Sequence, residues 1–326
     1  MSPSVKRITE EALRFRQQTL SGASRILIGY GDILDLVLVS AISGGHILLT
    51  GLPGLGKTLL VKTLSRLWDL SFRRIQFTPD LMPADISGTE ILQEKTTTRG
   101  SSRFLEFVPG PVFANLVLAD EINRTPPRTQ SALLQAMEER QVSVANHTHT
   151  LPQPFLVMAT QNPLELEGTY PLPEAQLDRF LLSLELSYPS REAEIQIAKM
   201  SMGGHDLLDS LQPIAHADTI LQLQKSADKV AMPESLLSAI VDAVRSTRQG
   251  SAGADMVLYG AGPRSVQFLV RAARARALLT GRPGVSEEEI AFVFPNILRH
   301  RIQLKYEAVA EGISVDDLLQ RINPFA

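Results

Sequence analysis

The chain has 326 residues, with 32 Lys and Arg against 35 Asp and Glu, so its formal charge is −3. That near balance argues against a protein held on nucleic acid by a broad basic face, and 21% charged with 44% apolar residues describes a globular chain rather than a disordered one. Cysteine is absent, which removes disulfides, thiolate zinc sites and a cysteine nucleophile, and suits a reducing compartment. The first ten residues carry Lys6, Arg7 and Glu10 and lack the apolar centre of a signal peptide. The most apolar stretch, Ile33 to Leu49, is interrupted by Asp35, Gly44, Gly45 and His46, too short and polar to span a bilayer. A soluble, cytoplasmic chain is expected.

In chain order, Val5, Ile8, Ala12 and Phe15 recur at helical spacing, predicting an amphipathic helix from Ser4 to Leu20 that stops near Gly22. A second helix is expected from Ile33 to Ile42, ended by Gly44-Gly45. His46 to Thr50 then reads as a buried strand feeding a glycine-rich turn. Asn115 to Ala119 and Phe155 to Thr160 are continuous apolar runs, the pattern of strands covered on both faces in a parallel sheet. Arg74 to Phe77 and Leu181 to Leu184 are further strand candidates. With helical segments between them, these strands predict a doubly wound α/β domain. The polar stretch from Gly88 to Pro111 reads as an insertion, an exposed, mobile hairpin. Beyond Tyr188-Pro189-Ser190 the strands stop, and Ile220–Gln224, Leu236–Arg248 and Ser265–Leu279 carry helical periodicity. The division expected is an N-terminal helix over residues 1–24, an α/β core over 25–188 and an all-α domain over 189–326.

Gly51-Leu52-Pro53-Gly54-Leu55-Gly56-Lys57-Thr58 fits G-x-x-x-x-G-K-S/T between a strand and a helix, the context that a P-loop requires. Its glycines turn backbone N–H groups toward phosphate oxygens, and the helix that continues through Leu59 adds its positive end. Lys57 is the candidate bridge between β- and γ-phosphates, and the Thr58 hydroxyl the candidate Mg²⁺ ligand. An incidental glycine-rich turn is the bland alternative, disfavoured by both flanks. Asp120-Glu121 closes a buried strand, where open α/β sheets bind ligands. Asp120 is assigned to Mg²⁺, through water, and Glu121 to polarising the attacking water as general base. The competing reading is a pair of acids on a helix dipole. Asn162, after the next apolar strand, is placed to reach the γ-phosphate or orient the water. Arg179, in Leu177-Asp178-Arg179-Phe180, and Arg264, in Gly262-Pro263-Arg264-Ser265, are candidate cations for the transition state, against the ordinary fate of a surface ion pair.

Together with the P-loop, four strings resemble the MoxR group of AAA+ ATPases over nearly the whole chain. They are Asp120-Glu121-Ile122-Asn123-Arg124, the run from Ala136 to Val142, Ala159-Thr160-Gln161-Asn162-Pro163, and the run from Glu167 to Phe180. The resemblance implies a P-loop AAA+ core with a parallel sheet and a helix-2 insert facing a central pore, followed by an all-α lid. It implies that Lys57 and Thr58 belong to Walker A, Asp120 and Glu121 to Walker B, Asn162 to sensor 1 and Arg264 to sensor 2. Arg179 corresponds to an arginine finger for a neighbouring subunit, whereas Arg264 is left open between its own nucleotide and the neighbour's. Asn123 and Arg124 are a family signature without a derived mechanical role. Tyr30 stands where this group has glutamine at the adenine-side entrance, and Ser265 where alanine is frequent.

The activity so implied is Mg²⁺-dependent ATP hydrolysis in a hexameric homo-oligomeric ring, driving chaperone-like remodelling, assembly or activation of partner proteins such as those with von Willebrand factor A domains. Direct nucleic-acid binding is not expected, because the insert sets only Lys95, Arg99 and Arg103 against Glu90, Glu94 and Glu106. The alternatives are the motor subunit of a chelatase-like or nucleic-acid-remodelling complex, and a nucleotide-dependent switch with negligible turnover. Lys57, Glu121 and Asn162 argue against the switch. His46, His147, His149, His205, His216 and His300 show no supported metal spacing, with His147-Thr148-His149 read as a solvated hairpin tip. Trp68 is read as core.

Overall fold

The computed structural model describes residues 3–97, 100–145, 147–163, 168–201, 207–248 and 255–325. Glu167 of the last family string, Arg99 of the insert and His205 lie outside these residues. Helix α1 (Pro3–Ser24) and helix α2 (Gly31–Ser43) precede strand β1 (Ile47–Gly51) and helix α3 (Lys57–Leu67). Strand β2 (Phe72–Gln76), the short helix α4 (Pro83–Ser87) and the hairpin strands β3 (Gly88–Thr97) and β4 (Gly100–Pro109) follow. Next come β5 (Leu116–Asp120), α5 (Pro127–Glu139), β6 (Gln141–Val144), β7 (His147–Thr150), β8 (Leu156–Gln161), α6 (Glu174–Leu177) and β9 (Leu182–Leu186). The remainder comprises α7 (Arg191–Ser201), α8 (Ala217–Ala227), α9 (Glu234–Ser246), β10 (Val257–Tyr259), α10 (Pro263–Leu279), α11 (Glu287–Leu298), β11 (Gln303–Leu304), α12 (Tyr306–Ala310) and α13 (Val315–Ile322).

The central sheet has the order β2-β5-β8-β1-β9, and every pairing in it is parallel. Alternate residues serve opposite faces, as strand geometry demands. Ile47, Leu49, Leu118, Met158 and Leu184 face a core shared with α1, α2 and the C-terminal helices, whereas Leu48, Val117, Ala119 and Val157 face one closed by α5. Both faces are covered, which explains the unbroken apolar runs. Trp68 is fully buried against Phe15, and its indole N–H reaches Thr19 at 3.2 Å.

Three expectations change. Gly22 does not end α1, which continues to Ser24; a Cβ there would lie 2.8 Å from Leu67 Cδ2, so this glycine serves a close helix–helix approach. The C-terminal part carries, among its helices, the antiparallel pair β10–β11, whose strands lie far apart in sequence and leave no local signal. His147-Thr148-His149 lies at a hairpin tip that is solvated only in part, with His147 and Thr148 exposed and His149 half-buried. It forms the return strand β7, with Val142 opposite His149, and the His149 ring stacks on Phe107 of the insert at 3.8 Å. The insert itself is the antiparallel hairpin expected, β3 with β4.

Candidate nucleotide site

All strands of the central sheet run the same way, so their C-terminal ends form one edge. The sheet order sets β1, β8 and β5 side by side there, bringing together the P-loop, Asn162 and the Asp120-Glu121 pair. After Gly51 the chain turns through Gly54 and Gly56 at φ +84° and +73°, values that side chains other than glycine adopt only at a cost. Pro53 lies in the turn, Leu55 tucks its side chain beside Gly51, and α3 begins at Lys57, with Thr58 and Leu59 in its first turn. Lys57 Nζ donates to Gly51 O at 2.7 Å. Burial pulls the Lys57 ammonium below its ordinary pKa, while the charges of Asp120 and Glu121 act in the opposite direction.

Asp120 and Glu121 are held by residues to which the sequence alone assigned no role. Thr160 Oγ1 donates to Asp120 Oδ1 at 2.7 Å, and Arg74 Nη2 reaches Asp120 Oδ2 at 2.6 Å. The same Thr160 oxygen accepts the Glu121 N–H at 2.8 Å. Glu121 sits in the left-handed region at φ +59°, a strained conformation for a non-glycine residue of the kind found at functional sites. Its Oε2 accepts from Gln76 Nε2 at 2.9 Å and pairs with Arg124 Nε at 3.2 Å. Thus Arg124 of the family signature is a partner of Glu121, and Asn123 O accepts from Tyr170 N at 2.7 Å, tying in the loop before α6. Arg74 and Gln76 were detectable only through register: Gln76 pairs with Asp120 across the β2–β5 ladder. Asn162 is buried at the end of β8.

Tyr30 meets the P-loop directly. Its hydroxyl donates to Leu55 O, and a Cβ on Gly56 would stand 3.4 Å from that oxygen. Burial raises the phenol pKa. Beside Tyr30 a cavity of about 530 Å³ is lined by Gly29, Asp32, Leu186, Tyr188, Pro189 and Ala193.

Arg179 and Arg264 are elsewhere. Arg179 precedes β9, whose first residue, Leu182, pairs with Ile47 at the start of β1. It therefore lies at the N-terminal edge of the sheet, about 16 Å, one five-residue strand, from the P-loop edge. Arg264, in the first turn of α10, reaches the same place. Both guanidinium groups meet Glu138 of α5, Arg179 at 3.1 Å and Arg264 at 2.9 Å. Arg264 also stands 3.6 Å from Asp178, which Arg301 engages at 2.7 Å. Burial pushes the Arg301 guanidinium down to about 10, against the pull of Asp178. The P-loop residues, Asp120, Glu121 and Asn162 form one group and the two arginines another.

Comparison with known proteins agrees with this architecture. Residues 46–182 match the model of the ATPase family associated with various cellular activities (AAA), and residues 251–322 match the AAA lid domain. Chaperone MoxR1 of Mycobacterium tuberculosis is 42% identical over 311 residues, covering 94% of this chain and 80% of that protein. This chain belongs to the MoxR family of AAA+ ATPases. YeaC of Bacillus subtilis is 44% identical over 299 residues, covering 92% of this chain and 90% of that protein. The crystal structure of a candidate ATPase from Cytophaga hutchinsonii superposes with a TM-score of 0.87 at 41% identity, covering 98% of each chain. The chain is accordingly an AAA+ nucleotide-binding enzyme that hydrolyses ATP, with a five-stranded parallel core and a C-terminal lid. No helix among the described residues is long and apolar enough to cross a membrane.

Proposed function

We propose that this MoxR-family ATPase works as a homo-oligomeric ring, a hexamer, in which the arginine edge of one subunit completes the nucleotide site of the next. The observation that carries the reading is the separation of about one strand length between the P-loop edge and the edge bearing Arg179 and Arg264. Neither arginine is within reach of its own P-loop, and both are part-exposed on the opposite edge. For Arg264 this favours the neighbour's nucleotide over its own.

The phosphate edge fits ATP and Mg²⁺ by its chemistry. A Cβ built on Gly54 meets nothing within 4 Å, which leaves an open cradle at the turn. Thr58 and Asp120 offer hard oxygen donors: Asp120 Oδ1 keeps a lone pair beyond its bond to Thr160, whereas Oδ2 accepts from both Nε and Nη2 of Arg74. When bound, Mg²⁺ draws charge from the phosphate oxygens. Lys57 leaves the Gly51 carbonyl to hold β- and γ-oxygens, with the P-loop N–H groups around them. Glu121, released from Gln76 and Arg124, accepts a proton from the attacking water, and Asn162 orients that water. Arg179 and Arg264 of the next subunit stabilise charge on the transferred group, a contribution on the order of 10³–10⁵ in rate. The cavity beside Tyr30 takes the base.

The Mycobacterium tuberculosis relative MoxR1 is named a chaperone. The same role is proposed here: hydrolysis drives remodelling or activation of a partner protein complex, with von Willebrand factor A-domain proteins as the expected client class and the insert hairpin toward the ring axis. Two experiments test this. Arg179→Ala should bind ATP without hydrolysing it, and mixing it with Lys57→Ala should restore activity; silent mixtures whose mixed rings are demonstrated would refute action in trans. Glu121→Gln, used as an ATP-bound trap in cell extract, should retain a protein client; recovery of nucleic acid or a chelatase subunit instead would refute the chaperone reading.

A further inference from the structure

Glu138 is an unusual residue for its position. It lies in the last turn of α5, where the helix dipole disfavours a carboxylate, and it is part-exposed. Four arginines surround the cavity of about 220 Å³ that it lines: Arg140, Arg179, Arg264 and Arg271. Two of them are committed to backbone. Arg140 Nη2 donates to Gly44 O at 3.1 Å, and Arg271 donates to Ser43 O, so both cap the exposed carbonyls at the end of α2. The other two meet Glu138, one on each carboxylate oxygen: Arg179 Nη1 on Oε2 and Arg264 Nη2 on Oε1.

These two arginines arrive from different domains. Arg179 belongs to the loop entering β9 of the core, and its Nη1 also donates to Leu134 O at 2.8 Å. Arg264 begins the lid helix α10, backed by Asp178 and, behind Asp178, the buried Arg301. Long guanidinium side chains of like charge repel and wander unless something lies between them. A carboxylate with two oxygens, each taking one guanidinium, satisfies both requirements and leaves the pair with a net positive charge for phosphate.

We propose that Glu138 is a positioning residue that joins Arg179 and Arg264 into a single, preoriented cationic unit presented to the neighbouring subunit's nucleotide. Glu138 touches no phosphate; it acts through the two arginines. The inference rests on the reading that those arginines act in trans.

The test uses mixed rings, so that the arginine edge and the phosphate edge are probed separately. The double variant Lys57→Ala/Glu138→Gln can donate only arginines, and it is mixed with Arg179→Ala, which can donate only a P-loop. ATP turnover should fall to about one tenth or less of that given by Lys57→Ala with Arg179→Ala, since a misplacement near 1 Å can cost about 10²-fold. In the reverse arrangement, Glu138→Gln mixed with a large excess of Lys57→Ala uses its own P-loop and receives intact arginines. Its turnover should equal that of wild type in the same excess. Equal activity in the first mixture overturns the proposal, and loss in both arrangements overturns it too, showing a structural role. If Lys57→Ala with Arg179→Ala is itself inactive in demonstrated mixed rings, the trans reading falls and the positioning role falls with it.

Discussion

Acidification should weaken this fold through His46, by an amount that follows from where that ring sits. The imidazole is fully buried at the start of β1, edge-on to Phe155 at 5.6 Å. Nδ1 accepts the Val157 N–H at 3.0 Å, so Nε2 carries the hydrogen donated to Met137 O at 3.1 Å. A second proton would face the Val157 donor. Burial is the main cause of a pKa lowered to about 4, helped by Arg140 and Arg271 and opposed by the Met137 bond. A base whose folded pKa lies below its unfolded value stabilises fully above about pH 6.5, and that contribution is lost as pH falls toward about 4. Between about pH 7.5 and about pH 5 the loss from this one group is about 2 kcal/mol. His46→Gln offers both neighbours an amide that does not titrate. Urea unfolding of both proteins at the two pH values should show the variant losing about 2 kcal/mol less than wild type on acidification. Buried His300, whose pKa is also depressed by burial, is present in both and cancels in the difference. An identical pH-dependent loss in the two proteins would refute the reasoning.

Three further outcomes are expected. Lys57→Ala should lose nucleotide binding by calorimetry, whereas Glu121→Gln should bind ATP and turn over about 10²–10⁴-fold more slowly; retained binding or retained turnover, respectively, would reassign those residues. Arg74→Gln removes the cation on Asp120 Oδ2 and should lower the Mg²⁺ concentration for half-maximal hydrolysis, so an unchanged or higher requirement in a Mg²⁺ titration counts against Arg74 as a competitor. Gly22→Val forces a branched side chain onto Leu67 and should cost about 1–3 kcal/mol in thermal unfolding; an unchanged Tm would mean that α1 and α3 adjust freely.

The proposed phosphate-binding edge was legible because its chemistry is contiguous. A P-loop works through consecutive backbone N–H groups, so Gly51 to Thr58 announces itself in one string, and a buried parallel strand shows as an unbroken apolar run ending on Asp120-Glu121. Helix periodicity likewise exposed α2 and α10, with their ends shifted by a few residues at most. What stayed hidden depends on which chain segments become neighbours. Local signals said that Gly22 could end a helix; only the approach of Leu67 shows that it cannot be replaced there by a larger residue without displacement. His149 looked like part of a solvated turn until Phe107 of the insert covered it. Gln76 and Arg74 matter because the β2–β5 register sets them beside Asp120 and Glu121, and a register is a property of two strands, not of one.

The same distinction governs the arginines. Sequence alone determined the family and picked out the P-loop, Arg179 and Arg264 as candidates, because each resides in a short string with a recognisable neighbour. The tertiary structure decided that both arginines sit at the edge of the sheet opposite the P-loop, and that both pair with Glu138. The physical reason is that strand direction fixes which end of the sheet a loop occupies. Charge pairing across α5, the β9 entry and α10 exists only once those three segments have packed.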